Sequence, residues 1–83
     1  MDVLGAKVRV ISGATGTKNS EQYYAVKAIG GSAIVTLTPV DTASNDTITT
    51  TEIANGDVVT LRAKWASVEK TGGDGSVLCY YEV

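Results

Sequence analysis

Apolar and polar residues alternate with period two along most of the chain, the pattern of half-buried strands rather than of helices. Residues 7–11 place Val8 and Val10 on one face and Lys7 and Arg9 on the other, with Ile11 closing the run. Residues 13–20 are small and polar and read as a loop. Residues 22–29 resume a strand, with Tyr24, Val26 and Ala28 on one side. Gly30-Gly31 is a tight connection, because glycine reaches the positive φ that hairpin turns need. Residues 32–38 alternate Ala33, Val35 and Leu37 against Ile34, Thr36 and Thr38. Pro39 has no N–H for a ladder, so it should end that strand or lie at an edge.

Residues 41–46 are turn formers, and residues 47–53 are β-branched but polar, which predicts an exposed or edge strand. Asn55-Gly56 is a hairpin signal. Residues 57–64 put Val59, Leu61 and Ala63 on one face, which continues to Trp65, and residues 65–71 form the next run. Gly72-Gly73-Asp74-Gly75 is a glycine-rich turn, and residues 76–83 close the chain as a strand. Six or seven short strands with a turn about every ten residues predict an all-β fold, a single small antiparallel sandwich or barrel. The organisation expected is one domain over residues 21–83, preceded by residues 1–20 as a strand or docking arm plus loop.

Composition narrows the chemistry. The 83 residues include no histidine and one cysteine, and seven Lys plus Arg stand against nine Asp plus Glu, for a net charge of -2. Histidine-based catalysis and His-ligated metals are excluded, and a lone Cys79 makes neither an intrachain disulfide nor a Cys-rich zinc site. The charge balance lacks the basic excess of a nucleic-acid binder. No apolar stretch approaches the ~20 residues of a membrane span. Asp2 stands where a secretory signal has basic residues, so synthesis in the cytoplasm is the expectation. Gly13 to Lys18 lacks the glycine spacing of a phosphate-binding loop, and Gly72 to Gly75 lacks the alternating carboxylates of a calcium loop. The carboxylates are scattered, so the chain is expected to be no enzyme and to carry no cofactor. Cys79, inside an apolar strand, reads as a small buried hydrophobe.

Folding a chain of this size removes only about 60% of its surface, and such chains often draw stability from a partner. The adjacent pairs Tyr23-Tyr24 and Tyr80-Tyr81 send one ring to each face of a strand, so one ring of each pair can meet a protein or a sugar.

From Tyr23 onward, about three quarters of the chain, the sequence resembles the small head decoration (cement) or head-fibre-like proteins of bacteriophages. The resemblance lies in the aromatic strand Tyr23-Tyr24-Ala25-Val26-Lys27-Ala28 and the Thr/Asp/Asn-rich region from Ala33 to Thr51. It continues through the turn Ile53-Ala54-Asn55-Gly56-Asp57 and the ending Gly75-Ser76-Val77-Leu78-Cys79-Tyr80. Trp65 departs from the aromatic spacing of that pattern, and the first 20 residues have no counterpart in it. The resemblance implies a non-enzymatic virion protein, commonly a homotrimer, made in the host cytoplasm and seated on the capsid exterior. Its partner there is the major capsid protein, and neither nucleic acid nor membrane is involved. The interface candidates are Val8, Val10, Ile11, Tyr23, Trp65, Tyr80 and Tyr81, with residues 1–17 as a docking arm or as the first strand. The alternative is a carbohydrate- or host-binding module of a phage tail or fibre.

Overall fold

The computed structural model describes residues 7–40 and 48–81, without the side chains of residues 61–63. Its seven strands are β1 (Lys7–Ile11), β2 (Gly16–Lys18), β3 (Tyr23–Ile29), β4 (Ala33–Pro39), β5 (Thr49–Ile53), β6 (Val58–Gly72) and β7 (Ser76–Tyr81). Every pairing is antiparallel, and the strands form one sheet in the order β1-β7-β3-β6-β4-β5, with β2 also on β6. The fold is all-β, as the alternation predicts.

One face of this sheet supplies a single core. Ile11, Tyr23, Val26, Ala28, Ala33, Val35, Leu37, Ile53, Trp65, Val68, Val77 and Cys79 are buried and form one cluster drawn from six strands. Side chains on one face of one sheet can meet like this only if the sheet rolls around them. Apolar burial at this density supplies most of the driving force, roughly 1.5–3 kcal/mol for each fully buried Val, Leu or Ile.

β6 is what makes the roll. The two runs read separately as residues 57–64 and 65–71 are one strand of 15 residues. Its first half pairs with β3, from Lys27 opposite Val58 to Tyr23 opposite Trp65. Its second half pairs with β4 on one side and with β2 on the other. Residues 16–18, read as loop, are thus a short strand.

Register shifts reset which residues face inward. The β3–β7 ladder steps from Tyr23 opposite Tyr81 to Ala25 opposite Tyr80, leaving Tyr24 as an extra residue. Tyr23 and Val26, three apart, therefore both point into the core, and Tyr24 is only partly buried. The expected Tyr24–Val26–Ala28 face is corrected to Tyr23, Val26 and Ala28 by this bulge. In β6 a second shift, Thr38 opposite Ser67 and then Pro39 opposite Trp65, bypasses Ala66 and turns both Trp65 and Val68 inward. In β4 the expected faces hold: Ala33, Val35 and Leu37 are buried and Ile34, Thr36 and Thr38 are half-buried. Pro39 is the last residue of β4 and is itself buried. β5 pairs only with β4 among the described strands and buries only Ile53. Thr36 and Thr50, opposite each other, share a hydroxyl hydrogen bond of 2.9 Å. The turn-forming residues 41–46 lie outside the described residues.

The glycine turns are positioned against each other. Gly30 and Gly31 have φ of 75° and 148°, and Gly73 has φ of 91°. Gly75 N donates to Ser32 O at 2.8 Å, so the Gly72–Gly75 turn closes directly onto the β3–β4 turn. A Cβ at Gly75 would strike the Gly31 carbonyl, which makes this close approach of two backbones a glycine-only position.

Candidate functional site

β1 is a sheet strand, paired with β7 through all five of its residues, yet only Ile11 is buried. The rest of the expected arm, residues 1–6, lies outside the described residues. The register places Val8 opposite Tyr80 and Val10 opposite Leu78. The same rows continue through Ala25 and Lys27 of β3 to Thr60 and Val58 of β6. All of these but the fully buried Ala25 present surface on the outer face, because the alternate residues Cys79, Val77, Val26 and Ala28 are in the core. The result is an apolar patch on β1 and β7, bounded on β3 by Lys27 and the fully buried Ala25 and continued on β6 by Val58 beside the polar Thr60. At its margin Val8 and Val10 are 41% and 43% exposed, while Leu78, Tyr80 and Val58 are half-buried. A depression of about 400 Å³ abuts the strip at Val58, with Glu52, Ile53 and Asp57 also in its lining.

The opposite phase of β1 carries a polar cluster. Arg9 Nε and Nη2 donate to Glu21 Oε1 at 3.0 and 2.6 Å. Tyr23 donates its hydroxyl to Glu21 Oε2 at 2.9 Å. The Arg9 guanidinium lies 5.4 Å from the centre of the Tyr81 ring, and the Tyr81 and Tyr23 rings meet edge to face at 6.2 Å. The Arg9 hydrogen bond holds the Glu21 carboxyl below its ordinary value, and the Glu21 hydrogen bond raises the Arg9 value. Burial, helped by the carboxylate, pushes the Tyr23 phenol up to about 12. Burial also pushes the Cys79 thiol up to about 12, which makes it a poor nucleophile at neutral pH.

The interface candidates divide accordingly. Val8, Val10 and Tyr80 share the outer strip. Tyr81 lies in the polar cluster, half-buried beneath Arg9. Ile11, Tyr23 and Trp65 are corrected: at 3%, 0% and 1% exposure they fill the core and have no surface to offer a partner. The cause at Tyr23 and Trp65 is the two bulges, which turn both rings inward, and at Ile11 the packing of the strand end over Gly16. Trp65 is therefore not a stacking platform for a sugar. Sequence reading missed Leu78 and Val58, which the alternation alone could have placed on the outer face, and Arg9 with Glu21, whose meeting depends on register.

Lys70 was also missed. It follows Val68 on β6 at 2% exposure, with its Nζ donating to Gly13 O at 3.0 Å. That bond fastens the loop after β1 to β6.

No protein-family model, no curated protein and no solved structure matches the chain.

Proposed function

We propose that the chain is a structural virion protein, a phage capsid decoration protein that binds the outside of the head and stabilises it by bridging major capsid subunits. The observation that carries this reading is the outer strip. Exposed Val8 and Val10 stand on an edge strand beside half-buried Leu78 and Tyr80, an arrangement that gains free energy only when another surface covers it. Apolar side chains at the centre with a tyrosine hydroxyl at hand suit a protein interface. Repetition of a small contact over many equivalent sites would give strong attachment through avidity, and self-association as a homotrimer would multiply it. The resemblance of residues 23–83 to decoration proteins points the same way.

The test is co-sedimentation of the purified protein with expanded phage heads, together with quantitative mass spectrometry of virions. Binding that saturates at hundreds of copies per head, and is abolished by Val8→Asp, is the expected result. Absence from virions, or no co-sedimentation, would overturn the reading.

A further inference from the structure

The edge strand that carries Val8 and Val10 has little of its own to hold it. Four of its five residues are exposed, and its one buried side chain, Ile11, is at its far end. Between these, the side-chain fastening at its middle is Arg9. We propose that Arg9, Glu21 and Tyr23 form an acid-labile latch that holds β1, and with it the Val8–Val10 strip, on the sheet.

Glu21 is the pivot. It stands between β2 and β3 and joins two strands that are not neighbours: Oε1 takes both Arg9 donors from β1, and Oε2 takes the Tyr23 hydroxyl from β3. The charged and titratable groups acting on this cluster are Arg9 from β1, Lys18 from β2, Tyr23 from β3, and Tyr81 and Cys79 from β7. Arg9 and Lys18 are both cations, and both favour the Glu21 carboxylate. Protonation of Glu21 takes away the acceptor of a charge-assisted pair and leaves the two cations with no anion between them. The Tyr81 ring beneath Arg9 remains, but an exposed cation–π contact is a weak tie.

The sign follows from linkage. The Glu21 carboxyl is lowered from 4.5, so the latch contributes fully above that pH and is lost as pH falls through the lower folded value. A strand that buries one side chain is the kind of unit that opens alone, below global unfolding. Tyr23 keeps its ring in the core whether or not its hydroxyl is bonded, so the loss stays local to β1.

Hydrogen exchange of the full chain at pH 7 and pH 3.5, corrected for intrinsic rate, reads β1 directly and does not depend on what the strip binds. The expected result is a severalfold greater loss of protection for residues 7–11 than for β3 or β4 in acid. Glu21→Gln should show the acid-like exchange of β1 already at pH 7, with no further loss at pH 3.5. Should Glu21→Gln unfold globally, Arg9→Gln at its half-exposed site gives the same reading without touching the core. Unchanged protection of β1 relative to β3 and β4 as the pH is taken on below 3.5 to the onset of global unfolding, or wild-type protection at pH 7 in the folded variant, would overturn the latch.

Discussion

Replacing Gly75 by alanine isolates the contact between the two glycine turns. The new methyl would strike the Gly31 carbonyl, 2.7 Å from its carbon and 3.0 Å from Ile29 O, inside the 3.4 Å at which ordinary contact begins. The obstacles are backbone, so no rotamer change relieves them. Overpacking of this sort costs about 1–3 kcal/mol. Separating the turns also breaks the 2.8 Å bond from Gly75 N to Ser32 O, another ~1 kcal/mol. Reduced freedom of the unfolded chain returns about 0.4–1 kcal/mol, leaving a net loss of about 1–3.6 kcal/mol, with about 2–3 kcal/mol expected because the clash is with rigid backbone. Gly56→Ala is the control. Its φ of 84° strains an L-residue by about 1–2 kcal/mol, but nothing lies within 4 Å of the new methyl, so about 1 kcal/mol is lost after the same offset. For a domain of this size 1 kcal/mol is about 6 °C in Tm. Urea titration and thermal melting should therefore place Gly75→Ala about 12–18 °C below the parent and Gly56→Ala about 6 °C below it. A Gly75→Ala variant no less stable than Gly56→Ala would refute the turn-on-turn contact.

Four other outcomes follow from the core and the strip. Trp65→Ala, at a side chain 1% exposed, should lose about 3–5 kcal/mol in chemical denaturation. The Cys79 thiol should be unreactive to a disulfide reagent at pH 8 in the folded chain, with labelling that tracks unfolding in added urea; rapid native-state labelling would show the site to be open. Cys79 and Tyr23 are each raised to about 12, from 9.0 and 10.0, so the stability each contributes is present below those ordinary values and lost as pH climbs toward 12; denaturation midpoints that stay level from pH 9 to 12 would contradict this. Val8→Asp should leave Tm within about 3 °C, because the site is exposed, while removing the proposed binding to phage heads.

The strands and most faces are legible in the sequence because alternation with period two is a local signal. Ala33–Val35–Leu37 is the clearest case, and the glycine turns after Ile29 and before Ser76 are as plain. A bulge shifts that phase by one residue and leaves no mark in local composition. Nothing in Tyr23-Tyr24 says which ring turns inward until β3 is set against β7 and β6. The same holds for Trp65, whose phase relative to Val68 is set by the extra Ala66. The latch was further out of reach, since Arg9 and Glu21 meet only because β1 and β3 flank β7. Lys70 sat in plain view on the Val68 face, but a lysine among apolar alternates reads as a solvent residue until an acceptor such as Gly13 O is placed nearby. On the outer strip, Val8 and Val10 were legible as an apolar face, while the neighbours that widen it came from register.

The pairing of β1 with β7 sets a timetable for the nascent chain. Lys7 pairs opposite Tyr81, so β1 has no partner until β7, the last of the described strands, has been made. β3 waits likewise, since both its neighbours, β6 and β7, come from the second half of the sequence. Among the described strands, only β4 and β5 are both consecutive and paired, and so can join early. Closure is thus a late event dominated by distant pairings, the class of topology that folds in milliseconds to seconds rather than microseconds. Until it closes, Val26, Val35 and Trp65 remain in water, and high-level synthesis should favour aggregation at lowered chaperone supply more than it would for a helical chain of equal length.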